Sequence, residues 1–167
     1  MMFPDMELVI FVGLQASGKS TFFHERFAAT HEHVSKDLFR NNRNPNRRQA
    51  QLIEDALEEG RSVVVDNTNP TLEDRRALIE LGGEYAARIV GYYFDASVRE
   101  CLRRNEAREG KARVPDVAIY ATAKKLVAPS MQEGFDALLC VRLSEPAFKV
   151  RGCRGGTRSD RARSWGQ

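Results

Sequence analysis

The stretch "FVGLQASGKSTFF", residues 11–23, decides how the chain is read. Gly13 is followed by four residues and then by Gly18-Lys19-Ser20. That is the G-x-x-x-x-G-K-S spacing of a loop that wraps a polyphosphate. Just before it, "ELVIFVG" at 7–13 is an apolar, branched run closed by glycine, the pattern of a strand buried on both faces. Just after it, Ser20 to about Ala29 reads as a helix. Glycines let such a loop turn several backbone N–H groups toward one anion. The following helix adds the positive end of its dipole. Gly13, Gln15, Ala16, Ser17, Gly18, Lys19, Ser20 and Thr21 are therefore the expected nucleotide cradle. Lys19 suits the β- and γ-phosphates of a bound nucleotide, and the Ser20 hydroxyl suits Mg²⁺. Thr21 reads as a first-turn helix residue rather than a second metal ligand. The same loop serves hydrolases, switches and kinases, so it leaves the acceptor open.

Working outward, strands alternate with helices. "HVS" at 33–35 and "SVVVDN" at 62–67 read as strands, as do "ARIVGYYF" at 87–94 and "ALLCVRL" at 137–143. Helices are expected from Pro45 to Glu59, after "NPT", over "SVRECLRRNEAR" at 97–108, and from Pro115 to about Val127. This order implies an α/β three-layer sandwich around a parallel sheet. Ligands bind such sheets at the carboxyl ends of the strands. Residues 13–20, Lys36-Asp37 and Asp66-Asn67 each follow a strand and should meet on one edge.

The 167 residues fit one domain, with 42% hydrophobic and 29% charged residues. No apolar run approaches the roughly 18 residues of a membrane span, so no membrane partner is expected. Three well-separated cysteines, Cys101, Cys140 and Cys153, include no CxxC pair, and a reduced, cytoplasmic protein without structural zinc is the simplest reading. The net charge of +3 is unevenly spread. Residues 151–167 hold five arginines against one aspartate, which leaves residues 1–150 close to neutral at −1. The division expected is a domain over 1–150 and a basic, flexible tail over 151–167. That tail reads equally as an electrostatic handle for nucleic acid or as a solvated extension.

The acceptor side rests on fewer residues. A carboxylate at Asp37 can take the proton of an attacking hydroxyl; it can also cap the helix-like "LFRNN". Asp66 can organise Mg²⁺ or cap the turn "DNTNP". Arg40, Arg43, Arg47 and Arg48 form a basic cluster suited to phosphate, or else a solvated helix face. Arg40 is favoured because it lies one turn from Asp37. Arg103, Arg104, Arg108, Lys111 and Arg113 have the composition of a closing lid. A surface helix balanced by Glu100, Glu106 and Glu109 would have it too. His24, His31 and His33 read as surface or strand-edge histidines.

Taken in order, "GLQASGKSTF", "VSKDLFR", "VVVDNTNPTLEDRR", "LRRNEAREGKARVP" and "APSMQEGFDALLCV" resemble polynucleotide 5′-kinase domains of the P-loop kinase superfamily, in particular the kinase half of polynucleotide kinase-phosphatases. The resemblance implies a P-loop kinase sheet of five parallel strands with a helical lid. It implies ATP and Mg²⁺ as cofactors and a 5′-hydroxyl end of DNA or RNA as acceptor. Asp37 would be the general base. Lys19 and Ser20 would hold the donor phosphates and metal, and Arg40 would contact the acceptor. Asp66 and Thr68 would lie in the acceptor and metal environment, and Arg104 and Arg108 would be lid arginines, with Arg108 on the transferring phosphate. Lys36 departs from the arginine usual before this aspartate, and no phosphatase DxDGT signature is present, so any 3′-phosphatase step would need a separate protein. The near-neutral folded part keeps a small-molecule kinase open as an alternative. A nucleotide-binding NTPase module without an acceptor is the third reading.

Overall fold

The structure, a computed structural model, describes residues 5–145 and 147–153. Six strands form one sheet in the order β2-β3-β1-β4-β5-β6. They are β1 (Glu7–Val12), β2 (Glu32–Val34), β3 (Val63–Val65), β4 (Arg88–Phe94), β5 (Ala137–Ser144) and β6 (Ala147–Gly152). The first five are parallel, and β6 runs antiparallel to β5. The sheet thus has one strand more than the five expected. β6 escapes a sequence reading because "AFKVRG" buries only Phe148 and exposes two cations. Exposed cations are typical of an edge strand protected against further pairing. β6 also runs two residues past the expected boundary at 150. The remainder of the expected basic tail, 154–167, lies outside the described residues.

Alternation along β1 sends its side chains to two cores. Leu8, Ile10 and Val12 pack with Ile53, Ala56 and Leu57 of α2 (Pro45–Glu58) and Leu78 of α3 (Leu72–Glu84). Val9 and Phe11 pack on the opposite face with Phe22 and Phe23 of α1 (Lys19–Arg26) and with Phe27 and Phe148. A third, smaller cluster joins Leu14 and Ala16 to Cys101 of α4 (Val98–Glu106) and Ile119 of α5 (Asp116–Lys125). The end of α4 and the loop that follows it, Arg103 to Arg113, are the segment expected to be the lid. Among the described residues no helix is long and apolar enough to cross a membrane.

The cysteines correct the expectation of three reduced thiols. Cys140 and Cys153 form a disulfide across the β5–β6 edge, with their Cα atoms 5.1 Å apart. The pairing was invisible because only the antiparallel return of β6 brings residues 13 apart together. Reducing compartments oppose such bonds. Cys101 is free and buried, and burial pushes its thiol up to about 11. Protein purified in air should therefore react with a thiol reagent at no site when native. It should react at one site when denatured, and at three when denatured and reduced. Two fast-reacting thiols in the native chain would show the bridge to be absent.

Candidate active site

The central strand and the order of its neighbours explain why the site lies where it does. β1 has β3 on one side and β4 on the other, and β2 lies beyond β3. The segments after β1, β2 and β3 therefore converge. Residues 13–18 form a tight loop in which Ala16 (φ 61°) and Gly18 (φ 98°) are both left-handed. Gly18 also has Phe148 against it, and a β-carbon there would lie 3.0 Å from that ring. At Gly13 a β-carbon would lie 2.9 Å from Phe94, so the loop can leave the sheet only as glycine. No side chain caps α1 at Gly18, so its first N–H groups are left for an anion. The cradle therefore fits a polyphosphate.

Lys19 is buried and folded back on the loop, 2.6 Å from the Leu14 carbonyl and 3.0 Å from that of Gly13. Burial pushes its ammonium down to about 8, against the opposing pull of Asp66. Asp66 is only 4% exposed. Ser20 donates to its Oδ2 at 2.8 Å, and His33 Nε2 lies at the same distance from that oxygen. Burial raises the Asp66 carboxyl, but His33, the Lys19 charge and Ser20 together hold it below its ordinary value. The hydroxyl and the ionised carboxylate are hard oxygen donors, which suits Mg²⁺.

A cavity of about 1380 Å³ opens from the loop toward α2 and α3. Gln15, Ala16, Lys19, Ser20, Asp37, Arg40, Asp66, Thr68 and Arg108 all line it. Asp37 sits in a 3-10 turn, Lys36–Phe39, that is capped by the Ser35 hydroxyl. The capping role open to Asp37 thus falls to Ser35. The Asp37 side chain is 78% exposed and pairs with Arg40 at 3.2 Å. Of the basic cluster only Arg40 reaches the cavity; Arg43, Arg47 and Arg48 do not line it. Thr68 also holds the loop from below, its carbonyl accepting from the Gly13 N–H at 3.0 Å.

Other expected residues lie apart from the cavity wall. Gly13, Ser17 and Gly18 shape the backbone of the loop, and the Thr21 side chain is exposed on α1. Arg104 and Arg108 do not share a helix face, because α4 ends at Glu106. Arg104 turns to the Ala16 carbonyl, 3.5 Å away. Arg108 lies beyond the helix, bonded to the Ala112 carbonyl at 3.2 Å. Arg40 donates to the carbonyl of Lys111 at 3.3 Å, so this side of the cavity touches the loop between α4 and α5 directly.

The contacts of several residues in and around the site were not legible in the sequence. Asn67 accepts from the Lys36 N–H at 2.9 Å and donates to Gln49 at 2.6 Å, tying the ends of β2 and β3 to α2. Arg75, fully buried, donates to the carbonyls of Asn69 and Pro70 and pairs with Glu133 at 2.7 Å. His33 is not merely a strand-edge residue, since it contacts Asp66. Among the described residues no group of three or more His, Cys, Asp or Glu side chains gathers into a metal site.

The sequence profile of the AAA domain family matches residues 8–129. The chain belongs to that family. Its architecture is that of solved P-loop kinases, and the resemblance to polynucleotide kinases read from the motifs is matched by sequence similarity to one of them. The AAA domain chain is 28% identical over 137 residues to the bifunctional polynucleotide phosphatase/kinase of Schizosaccharomyces pombe, covering 77% of itself and 32% of that protein. It thus spans about a third of that relative. A fungal RNA kinase structure superposes with a TM-score of 0.64 at 17% identity, over 84% of this chain and 39% of that one. A gluconokinase from Sinorhizobium meliloti 1021 does so at 0.60 and 18%, over 87% and 86%. At these identities the structural likeness establishes the fold of this AAA domain and leaves the acceptor open.

Proposed function

We propose that this chain is an ATP- and Mg²⁺-dependent kinase that phosphorylates the 5′-hydroxyl end of DNA or RNA. The observation that carries this reading is the shared cavity: Asp37 and Arg40 line the same space as Lys19, Ser20 and Asp66. A nucleotide switch has no use for a carboxylate on an acceptor wall. In the proposed reaction the acceptor oxygen forms a bond to the γ-phosphorus as the bond to the β,γ-bridging oxygen breaks. Asp37 receives the hydroxyl proton. Lys19, released from the loop carbonyls, and Arg108 offset charge on the transferring group, and Arg104 lies beside the donor loop. Ser20 and Asp66 would hold Mg²⁺, which supplies charge neutralisation on the donor phosphates. Arg40 and Thr68 would contact the acceptor.

A small-molecule acceptor is the second reading. Glu73 and Asp74 also line the cavity, above Ala77, Leu78 and Leu81. Two carboxylates are poor company for a chain of phosphates. The two readings separate in one assay, the transfer of labelled γ-phosphate to 5′-hydroxyl DNA, 5′-hydroxyl RNA, nucleosides and sugars. An oligonucleotide should be phosphorylated far more efficiently, by kcat/KM, than its terminal nucleoside. Equal efficiency on the nucleoside, or a preference for a sugar, would replace the first reading with the second.

A further inference from the structure

The Asp66 carboxylate is held at one oxygen by two donors of different character. The Ser20 hydroxyl turns freely about a single bond, so it can face Asp66 or a cation. The His33 ring cannot turn in this way. It stacks on Phe23 with centroids 3.9 Å apart and planes 15° apart. β2 pairs in register with β3, placing His33 opposite Val64, two residues before Asp66. An ionised carboxylate only accepts hydrogen bonds, so Nε2 carries the proton in this contact. We infer that His33 is a positioning residue for Asp66, a ring fixed by stacking that presets the orientation of the carboxylate toward the metal side of the nucleotide site. Groups that orient ligands in this way govern metal affinity by 10–100-fold in other proteins.

The inference rests on the proposed placing of Ser20 and Asp66 beside Mg²⁺. Its test is ADP binding to the full chain, measured calorimetrically in EDTA and across a magnesium series. His33→Phe keeps an aromatic ring against Phe23 and removes the donor. His33→Gln removes the ring and restores an N–H close to the position of Nε2. His33→Phe should raise the Mg²⁺ concentration that half-maximally tightens ADP binding by about 10–100-fold. Its affinity in EDTA should be unchanged, which also shows that the cradle is folded. His33→Gln should recover most of the magnesium response. An unmoved response in His33→Phe overturns the inference alone, and impairment confined to His33→Gln would mark a packing role of the ring. If the unaltered chain shows no magnesium response, the placing of Ser20 and Asp66 fails and the inference falls with it.

Discussion

Asp37→Asn is expected to lower kcat for phosphorylation of a 5′-hydroxyl oligonucleotide by about 10²–10⁴-fold, the range for loss of a positioned general base. Each tenfold step corresponds to about 1.4 kcal/mol of transition-state stabilisation. The fold should not suffer, because the Asp37 side chain is exposed and its ion pair with Arg40 is a surface contact. Such pairs contribute at most about 1 kcal/mol. ADP affinity should also hold, since the cradle formed by residues 13–20 makes no hydrogen bond to Asp37. The separation is what makes the experiment decisive. Intact nucleotide binding with lost transfer assigns the carboxylate to the acceptor, and undiminished transfer removes it from the chemistry.

Arg75→Met should be the most damaging substitution to stability, costing about 3–5 kcal/mol, as expected when one partner of a buried ion pair is removed. Arg75 is the largest fully buried side chain among the described residues. Its guanidinium holds Glu133 by two bonds and the carbonyls of Asn69 and Pro70 by two more. Methionine would leave a buried carboxylate and two carbonyls without these donors. For a chain of this length such a loss lowers Tm by roughly 6–20 °C. The arginine also anchors the turn that follows Asp66. Asn69 there adopts a left-handed conformation (φ 43°) and donates to the Phe11 carbonyl at 2.8 Å. Arg75→Lys should fall between the two, keeping the charge but losing the fork. Pairing Arg75→Met with Glu133→Leu should restore part of the loss, since no charge is then stranded. A urea titration of the set checks this, and a cost below about 1 kcal/mol for Arg75→Met would refute the clamp.

Much of this molecule is written locally. The phosphate loop was legible because glycine spacing, a preceding apolar strand and a following helix coincide within 20 residues. The parallel sheet was legible because buried strands carry unbroken apolar runs, as in "ELVIFV" and "SVVV". The helices α2 and α3 were legible from apolar periodicity and from proline and glycine punctuation. Placing Lys36-Asp37 and Asp66-Asn67 on the edge that carries the loop needed only the rule that ligands gather where parallel strands end.

Tertiary structure decided what depends on residues distant in the chain. β6 has too little apolar character to announce itself, and only the antiparallel return beside β5 makes it a strand and closes the Cys140–Cys153 bridge. Arg75 looks like one of many surface arginines in "LEDRRALIE", and its burial follows from Glu133, 58 residues away, arriving beneath it. His33 meets Asp66 because β2 and β3 are neighbours in the sheet, a fact of strand order that periodicity does not encode. Arg104 and Arg108 separate because α4 stops after Glu106, sending one to the phosphate loop and the other to the wall of the cavity. The sequence by itself determined the backbone frame and the donor cradle, because hydrophobic spacing and glycine conformation act between near neighbours. Which polar side chains meet inside that frame was left to tertiary structure, because a charge buried by packing is stabilised by whichever partner the fold delivers to it.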